Sequence, residues 1–251
     1  MKKMNKYLKY WLYKNVLYIK KYKKYFKDFY KFKKFQDGRF LFNFKNRYPC
    51  LFDLEENTPF DTHYVYHTAW AARIIAQNKP ELHIDVGSSL YFISLVSAFL
   101  PIHFYDYRPP ILSLSNLQCK PGNILSLPFS NNSIFSLSCM HVLEHIGLGR
   151  YGDPLNPTGD IIGAKELIRV LAIGGSLLFV TTISGNPRIE FNAHRIYTYD
   201  MVIEMFRSLK IKEFSLITDN AFKEGIISNS SPELANKQHY SCGCFHFTKD
   251  N

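Results

Sequence analysis

Asp85 and Asp106 each stand at or near the end of an apolar run, about twenty residues apart. The first run, Leu82-His83-Ile84-Asp85-Val86, passes directly into Gly87-Ser88-Ser89, and the second is Ile102-His103-Phe104-Tyr105-Asp106. Small residues at a strand-to-helix turn let the backbone approach a ligand. A carboxylate ending the next strand can accept hydrogen bonds from a ribose diol. The pairing suits a nucleoside cofactor at the carboxyl ends of parallel strands, with Asp85, Gly87, Ser88, Ser89 and Asp106 as candidate contacts.

Parallel strands are what the pattern from Leu82 onward predicts, because strand and helix periods alternate. Expected strands are 82–86, 102–106, 134–140, 176–183, 214–218 and 241–248, the last two as an antiparallel pair at the sheet edge. Expected helices are 92–100, a short one opened by Pro109-Pro110 and running to Leu117, 160–171 and 198–209. Upstream, Asp61 or Thr62 can cap a helix through Ile75. That helix carries His63 and His67 on one face. Two histidines alone make a weak metal site, so a structural or substrate-facing role is favoured and no metal is expected. Cys242-Gly243-Cys244 is too tightly spaced for a standard four-ligand zinc pattern and reads as strand cysteines. The five cysteines are few and scattered, which fits a reducing cytoplasm better than a disulfide framework.

Charge divides the chain. Residues 1–50 carry 16 Lys and Arg against Asp28 and Asp37, while the whole chain has a net charge of +10, so the remainder is mildly acidic. Any basic partner signal therefore belongs to an N-terminal arm, and the rest does not look like a nucleic-acid-binding surface. Within the arm, Leu8, Trp11, Asn15, Tyr18, Tyr22, Tyr25, Phe29 and Phe32 follow a 3/4 spacing, with lysines filling most other positions. This is an amphipathic helix with one cationic and one aromatic face. It suits an anionic membrane interface on the cytoplasmic side. Packing on protein is the next reading, and nucleic-acid binding is disfavoured. The expected division is an arm and connection over 1–60 and a catalytic-type domain over 61–251. Lysines interrupt any signal-peptide core, and the apolar stretch around Leu90–Pro101 is too short to span a bilayer.

The segment Gly122-Asn123-Ile124-Leu125-Ser126-Leu127-Pro128-Phe129, with Asn132-Ser133-Ile134 and Val142-Leu143-Glu144-His145-Ile146, resembles the signature of class I S-adenosylmethionine (SAM) methyltransferases. More narrowly, Met140–Pro154, Phe191–Tyr197 and His63–Arg73 resemble domain-of-unknown-function family 268. The resemblance implies a Rossmann-like α/β fold, a seven-stranded sheet whose last strand is antiparallel, and SAM as cofactor. It adds Asn123, Ile124 and His141 to the cofactor contacts. Two departures stand out. Only Gly87 remains of the family's glycine-rich loop, and Asn123 replaces the acid that usually meets the adenine amino group, which removes charge assistance.

In that fold the reacting methyl group lies above the carboxyl ends of strands one and four. The connection Ile146–Asp160 leaves at that place, with four glycines, two prolines and the polar tips Arg150, Tyr151 and Asp153. Arg150, Tyr151 and Arg195 are candidate substrate contacts, the arginines suiting a carboxylate or phosphate. His145, Asp153 and His194 are the candidate catalytic residues, with Glu144 behind them; histidine has the suitable unperturbed pKa for a base. If 141–145 were helical, His141 and His145 would share a cleft. The segment His194–Thr198 resembles relatives acting on sugars and lipids, so the expected reaction is O-methylation of a sugar in a surface glycan or its precursor. Two other readings stay open: a nicotinamide-dependent epimerase or reductase, and a SAM-fold scaffold without catalysis. Gly-x-Gly-x-x-Gly and Tyr-x-x-x-Lys patterns are missing, which counts against the former.

Overall fold

The computed structural model describes residues 6–54 and 56–250, with side chains from residue 11 onward. The beginning of the expected basic helix at Met1–Asn5 and the Leu8 side chain lie outside the described residues. The chain divides into two compact units, Met1–Phe60 and Asp61–Asn251.

In the first unit, helix α1 spans Lys6–Lys33, a run without proline or glycine. It stops before Asp37-Gly38, where Gly38 takes φ +79°. Asn15, the interruption in the aromatic face, bonds back to the Trp11 carbonyl at 2.8 Å. Part of that face is covered from within the unit. Phe29 stacks on Phe42 at 4.8 Å, Tyr18 meets Phe52 edge-on at 4.9 Å, and Phe26 stacks at 6.4 Å on Phe44, whose ring centre lies 3.1 Å from the Arg47 guanidinium. Trp11, Tyr13, Val16 and Ile19 stay exposed. No described helix is long and apolar enough to cross a membrane.

The second unit opens with α2, Thr62–Asn78. Asp61 caps it by accepting from the Tyr64 amide at 3.0 Å, and Lys79 ends it in the left-handed conformation before Pro80. The main sheet is built from β1 (His83–Val86), β2 (Ile102–Asp106), β3 (Leu117–Pro121), β4 (Ile134–Met140) and β5 (Leu171–Ile183). A small separate hairpin pairs β6 (Arg188–Glu190) with β7 (His194–Ile196). The main sheet is completed by β8 (Lys210–Ile217), β9 (Ile226–Ile227) and β10 (Ser241–Thr248). Its order is β3-β2-β1-β4-β5-β10-β8-β9, with β1 to β5 parallel and β10 antiparallel between β5 and β8. Helix α3 spans Leu90–Val96, α4 Gly159–Val170 and α5 Tyr199–Met205; α6 (Ala221–Glu224) and α7 (Pro232–Ala235) are single turns.

Two expectations need correction. The sheet has eight strands rather than seven, because Ile226 and Ile227 pair with β8. A two-residue apolar pair carries no alternation by which sequence could reveal it. The helix expected from Pro109 to Leu117 is not formed; Leu117 begins β3, in parallel register with Ile102. Pro110 disfavours the helical region for the residue before it, and Leu117 is buried against β2.

Both faces of the sheet are covered, which is why β1 is buried at all four positions. One core contains Leu137, Leu167, Phe179, Phe206 and Phe245; the other contains Trp70, Ile74, Phe92, Phe104, Val180, Cys242 and Cys244. A fully buried Phe or Leu contributes about 1.5–3 kcal/mol, so these layers hold the strand ends in place. Beneath β1 runs a buried polar chain. His83 contacts the Ser136 and Ser138 hydroxyls at 2.7 and 2.8 Å, and Ser138 donates to Asp85. Burial holds the His83 pKa down to about 3 and lifts Asp85 to about 6.

Candidate functional site

A cavity of about 390 Å³ lies at the carboxyl ends of β1 and β2 and beside the turn after β4. β1 has β2 on one side and β4 on the other, so this is the point where the sheet's winding reverses and where ligands bind in open α/β sheets. Gly87 lines it with φ +70°. A Cβ there would stand 3.1 Å from Val142 Cγ2 and 3.8 Å from Asp106 Oδ2. Glycine therefore keeps bare backbone beside the Asp106 carboxylate, a cradle that any side chain would narrow. Asp106 itself lines the cavity, and its Oδ1 accepts from the Arg108 amide at 2.7 Å.

The structure sorts the expected cofactor contacts into two ranks. Gly87, Asp106, Asn123, Ile124 and His141 line the cavity; Asp85, Ser88 and Ser89 are not among its lining residues. Asp85 is fully buried and accepts from the Ser88 amide at 3.0 Å, which shapes the turn. The Ser88 hydroxyl accepts from the Met140 amide at 3.0 Å, tying the turn to the end of β4. Ser89 occupies the N-cap position of α3 without a side-chain bond. Asn123 Oδ1 accepts from the Leu125 amide at 2.9 Å.

After β4 the backbone does not enter a regular helix. His141 takes φ +57°, and only Leu143–His145 form a 3-10 turn. His141 and His145 still both line the cavity, by this turn rather than by helical spacing. His145 Nδ1 lies 2.6 Å from the Ala193 carbonyl, a contact that needs the proton on Nδ1 and leaves Nε2 as an acceptor. Burial holds the His145 pKa below its ordinary value, which favours this neutral form. Asp153 also lines the cavity, and its carboxylate accepts from the Gly147 amide at 2.6 Å and the Tyr151 amide at 3.3 Å.

Tyr151 lines the cavity with the Arg108 guanidinium 4.9 Å from its ring centre. Arg150, exposed, bonds the Ala193 carbonyl at 3.1 Å. His194 stands behind, its ring 6.2 Å from that of His145 and its Nε2 3.5 Å from Glu190. Arg195 is buried outside the cavity lining. Its guanidinium donates to the carbonyls of Ile146 at 2.7 Å and of Asn156 and Pro157 at 3.3 Å each, with Asp160 at 3.5 Å. It braces the loop from within, so the substrate contact expected of it is already taken up by the chain's own carbonyls. Gly147 closes the same loop: its Cβ would lie 2.0 Å from the Asn156 carbonyl oxygen.

A second group of side chains, beyond His141, escaped the sequence reading. His141 Nδ1 bonds Glu144 Oε1 at 2.7 Å, and Nε2 faces Cys242 Sγ at 3.5 Å. The His63 ring lies parallel to that of His141 at 6.1 Å, with Tyr240 stacked on His63 at 5.5 Å and Tyr64 stacked on His141 at 5.4 Å. Burial opposes charge on His141, but Cys242 and Glu144 outweigh it and lift the pKa to about 10. Burial lowers His63 to about 4. His63 was visible as half of a weak pair; nothing local marks Cys242 or Tyr240.

Residues 128–208 match the family described as "Caenorhabditis protein of unknown function, DUF268". That span includes two of the three segments that carried the narrower resemblance and leaves out 63–73. No curated protein sequence matches the chain. Among solved structures, the chain is similar to the N-methyltransferase NodS from Bradyrhizobium japonicum, solved with S-adenosylhomocysteine (14% identity, 80% of this chain and 92% of that one, TM-score 0.50). It is also similar to a Bacillus halodurans protein regarded as a methyltransferase (15%, 73% and 99%, TM-score 0.51) and to the [4+2]-cyclase SpnF (13%, 73% and 80%, TM-score 0.51). At such identities the likeness speaks for the fold, and a fold hosts more than one chemistry. The resemblance read from the sequence holds: residues 128–208 carry the DUF268 pattern on a chain with the class I SAM-dependent methyltransferase fold.

Proposed function

We propose that this chain is a SAM-dependent methyltransferase that O-methylates a sugar of a surface glycan or its precursor. The observation that carries the cofactor reading is the bare Gly87 backbone beside Asp106 in a cavity at the sheet's switch point. Asp106 would hold the ribose diol, and Asn123 and Ile124 would border the adenine. When bound, SAM would supply an electrophilic sulfonium methyl group for transfer to an acceptor oxygen. The chain's own part is positioning and the proton. His145 presents an unprotonated Nε2 on the same cavity wall, suited to take the acceptor's hydroxyl proton. The exposed ring of Tyr151 and the polar tips around it support a sugar acceptor, as does the resemblance at His194–Thr198. Incubation with methyl-labelled SAM and nucleotide- or lipid-linked glycan precursors tests this reading. Label is expected on the glycan fraction; label confined to protein or nucleic acid would refute the sugar acceptor. Tight SAM binding without any transfer would favour a non-catalytic scaffold.

The arm fits a membrane-side location for such an acceptor. Thirteen lysines within 1–35 face a single acid, Asp28, which Lys24 already pairs at 2.6 Å. Each lysine near an anionic surface is worth about 1 kcal/mol at low salt. Trp11, Tyr13 and Ile19 remain exposed for the interface, whereas Phe29 is occupied by Phe42. Deleting residues 1–35 should abolish sedimentation with phosphatidylserine-containing vesicles and leave SAM binding unchanged. Full-length protein that ignores such vesicles at low salt would instead assign the aromatic face to protein packing.

A further inference from the structure

The group around His141 points to a metal. His63 near the start of α2, His141 just after β4 and Cys242 in β10 bring their ligating atoms within 4.8 Å of one another. The topology explains the meeting. β10 runs antiparallel to β5 with Cys242 opposite Thr182, so Cys242 reaches the same carboxyl-terminal sheet end at which β4 releases His141. The left-handed backbone at His141 turns the chain there, and α2 lays His63 alongside.

We propose that His63, His141 and Cys242 form a binding site for a zinc-class divalent cation, separated from the cofactor cavity by the His141 side chain. Four observations support it. First, the donor set is two imidazoles and one thiol, which selects zinc and similar borderline ions over magnesium or calcium. Second, His141 Nε2 stands 3.5 Å from Cys242 Sγ. Tetrahedral zinc with bonds of about 2.0–2.1 Å to nitrogen and about 2.3 Å to sulfur has an N···S edge of about 3.6 Å. The trio as a whole must tighten by about 1 Å, within the reach of small side-chain rotations. Third, His141 already has the orientation of a metal ligand: its other nitrogen is held by Glu144 Oε1 at 2.7 Å, the carboxylate–histidine arrangement that fixes the ring and raises its basicity.

The fourth observation is independent of that trio. Two fully buried polar atoms in the same cluster have no hydrogen-bond partner, Glu144 Oε2 and His67 Nε2. An unpaired buried polar atom is costly, and a cation held across the His141 ring offsets part of the cost of burying the Glu144 carboxylate. Binding expels two protons to solvent, one from the Cys242 thiol and one from His141 Nε2, while His141 keeps its Nδ1 proton on Glu144. Three protein ligands leave a fourth position for water or a ligand heteroatom, the coordination of zinc sites that react rather than only brace. The inference stands whether or not the protein transfers methyl groups.

Titration of the chelator-treated full chain with Co2+ tests the site directly. One equivalent should bind, with a sulfur-to-cobalt charge-transfer band that Zn2+ displaces. Cys242→Ser should abolish the band, and Glu144→Gln should weaken Co2+ affinity by about 10- to 100-fold. Cys50→Ser should change nothing, because Cys50 is exposed and is not one of the three ligating residues. His63 is only half-buried, so His63→Ala should stay folded by circular dichroism and still lose at least about tenfold in affinity, as loss of an inner ligand should cost no less than loss of its support. A folded wild-type protein without the band, or a band that survives Cys242→Ser, would overturn the proposal.

Discussion

Replacing Asp106 by alanine should weaken binding of SAM and S-adenosylhomocysteine by about 10- to 150-fold, the equivalent of one charge-assisted hydrogen bond of about 1.5–3 kcal/mol. The fold should survive the change. The Gly87 turn hangs from the Tyr105 carbonyl at 2.9 Å and not from Asp106. The Arg108 amide that loses its acceptor is exposed, so water can replace it. Calorimetric titration of wild type, Asp106→Ala and Asp106→Asn reads the effect, and thermal melting confirms that the scaffold is intact. Asparagine should fall between the other two, since its amide oxygen still accepts without charge. Equal affinities in all three would show that the cavity is not the cofactor's.

The largest stability loss should come from Arg195→Ala, by about 3–5 kcal/mol in urea unfolding. Arg195 is buried against Asp160, and Tyr197 donates to the same carboxylate at 3.0 Å. Removing the guanidinium leaves Asp160 as a buried charge with one hydroxyl, and it frees the carbonyls of Ile146, Asn156 and Pro157 that hold the cavity-side loop. Lysine should not rescue it, because an ammonium cannot present a planar fork to three carbonyls. Arg195→Ala combined with Asp160→Asn should regain part of the loss, as the stranded charge is then gone. A loss below about 1 kcal/mol in the single variant would place Arg195 in an exposed, weakly paired setting.

The cavity at the ends of β1 and β2 was legible because its signals are local. A strand that ends in a carboxylate, a turn that only a small residue fits, and a second strand about twenty residues on are all written within one short stretch. Asp106 and Gly87 therefore reach the cavity that their order implied. Asp85 was recognisable as part of the same motif, but its depth was not. The serines that share its burial, Ser136 and Ser138, come from β4 and become neighbours only when β1 and β4 pair.

Sequence by itself determined the alternation of strands and helices, the cap at Asp61, the basic helix with its aromatic face, and the small-residue turn that follows β1. Each depends on residues within a few positions of one another, where backbone preferences and hydrophobic period suffice. Tertiary structure alone decided the rest. Whether Arg195 meets a ligand or its own loop depends on carbonyls at 146 and 156–157, almost 40 or more residues away along the chain. Cys242 faces His141 across 101 residues, and only the antiparallel insertion of β10 between β5 and β8 brings it there. Such contacts follow from how a sheet is ordered and which way its strands run, and a one-dimensional period does not encode either.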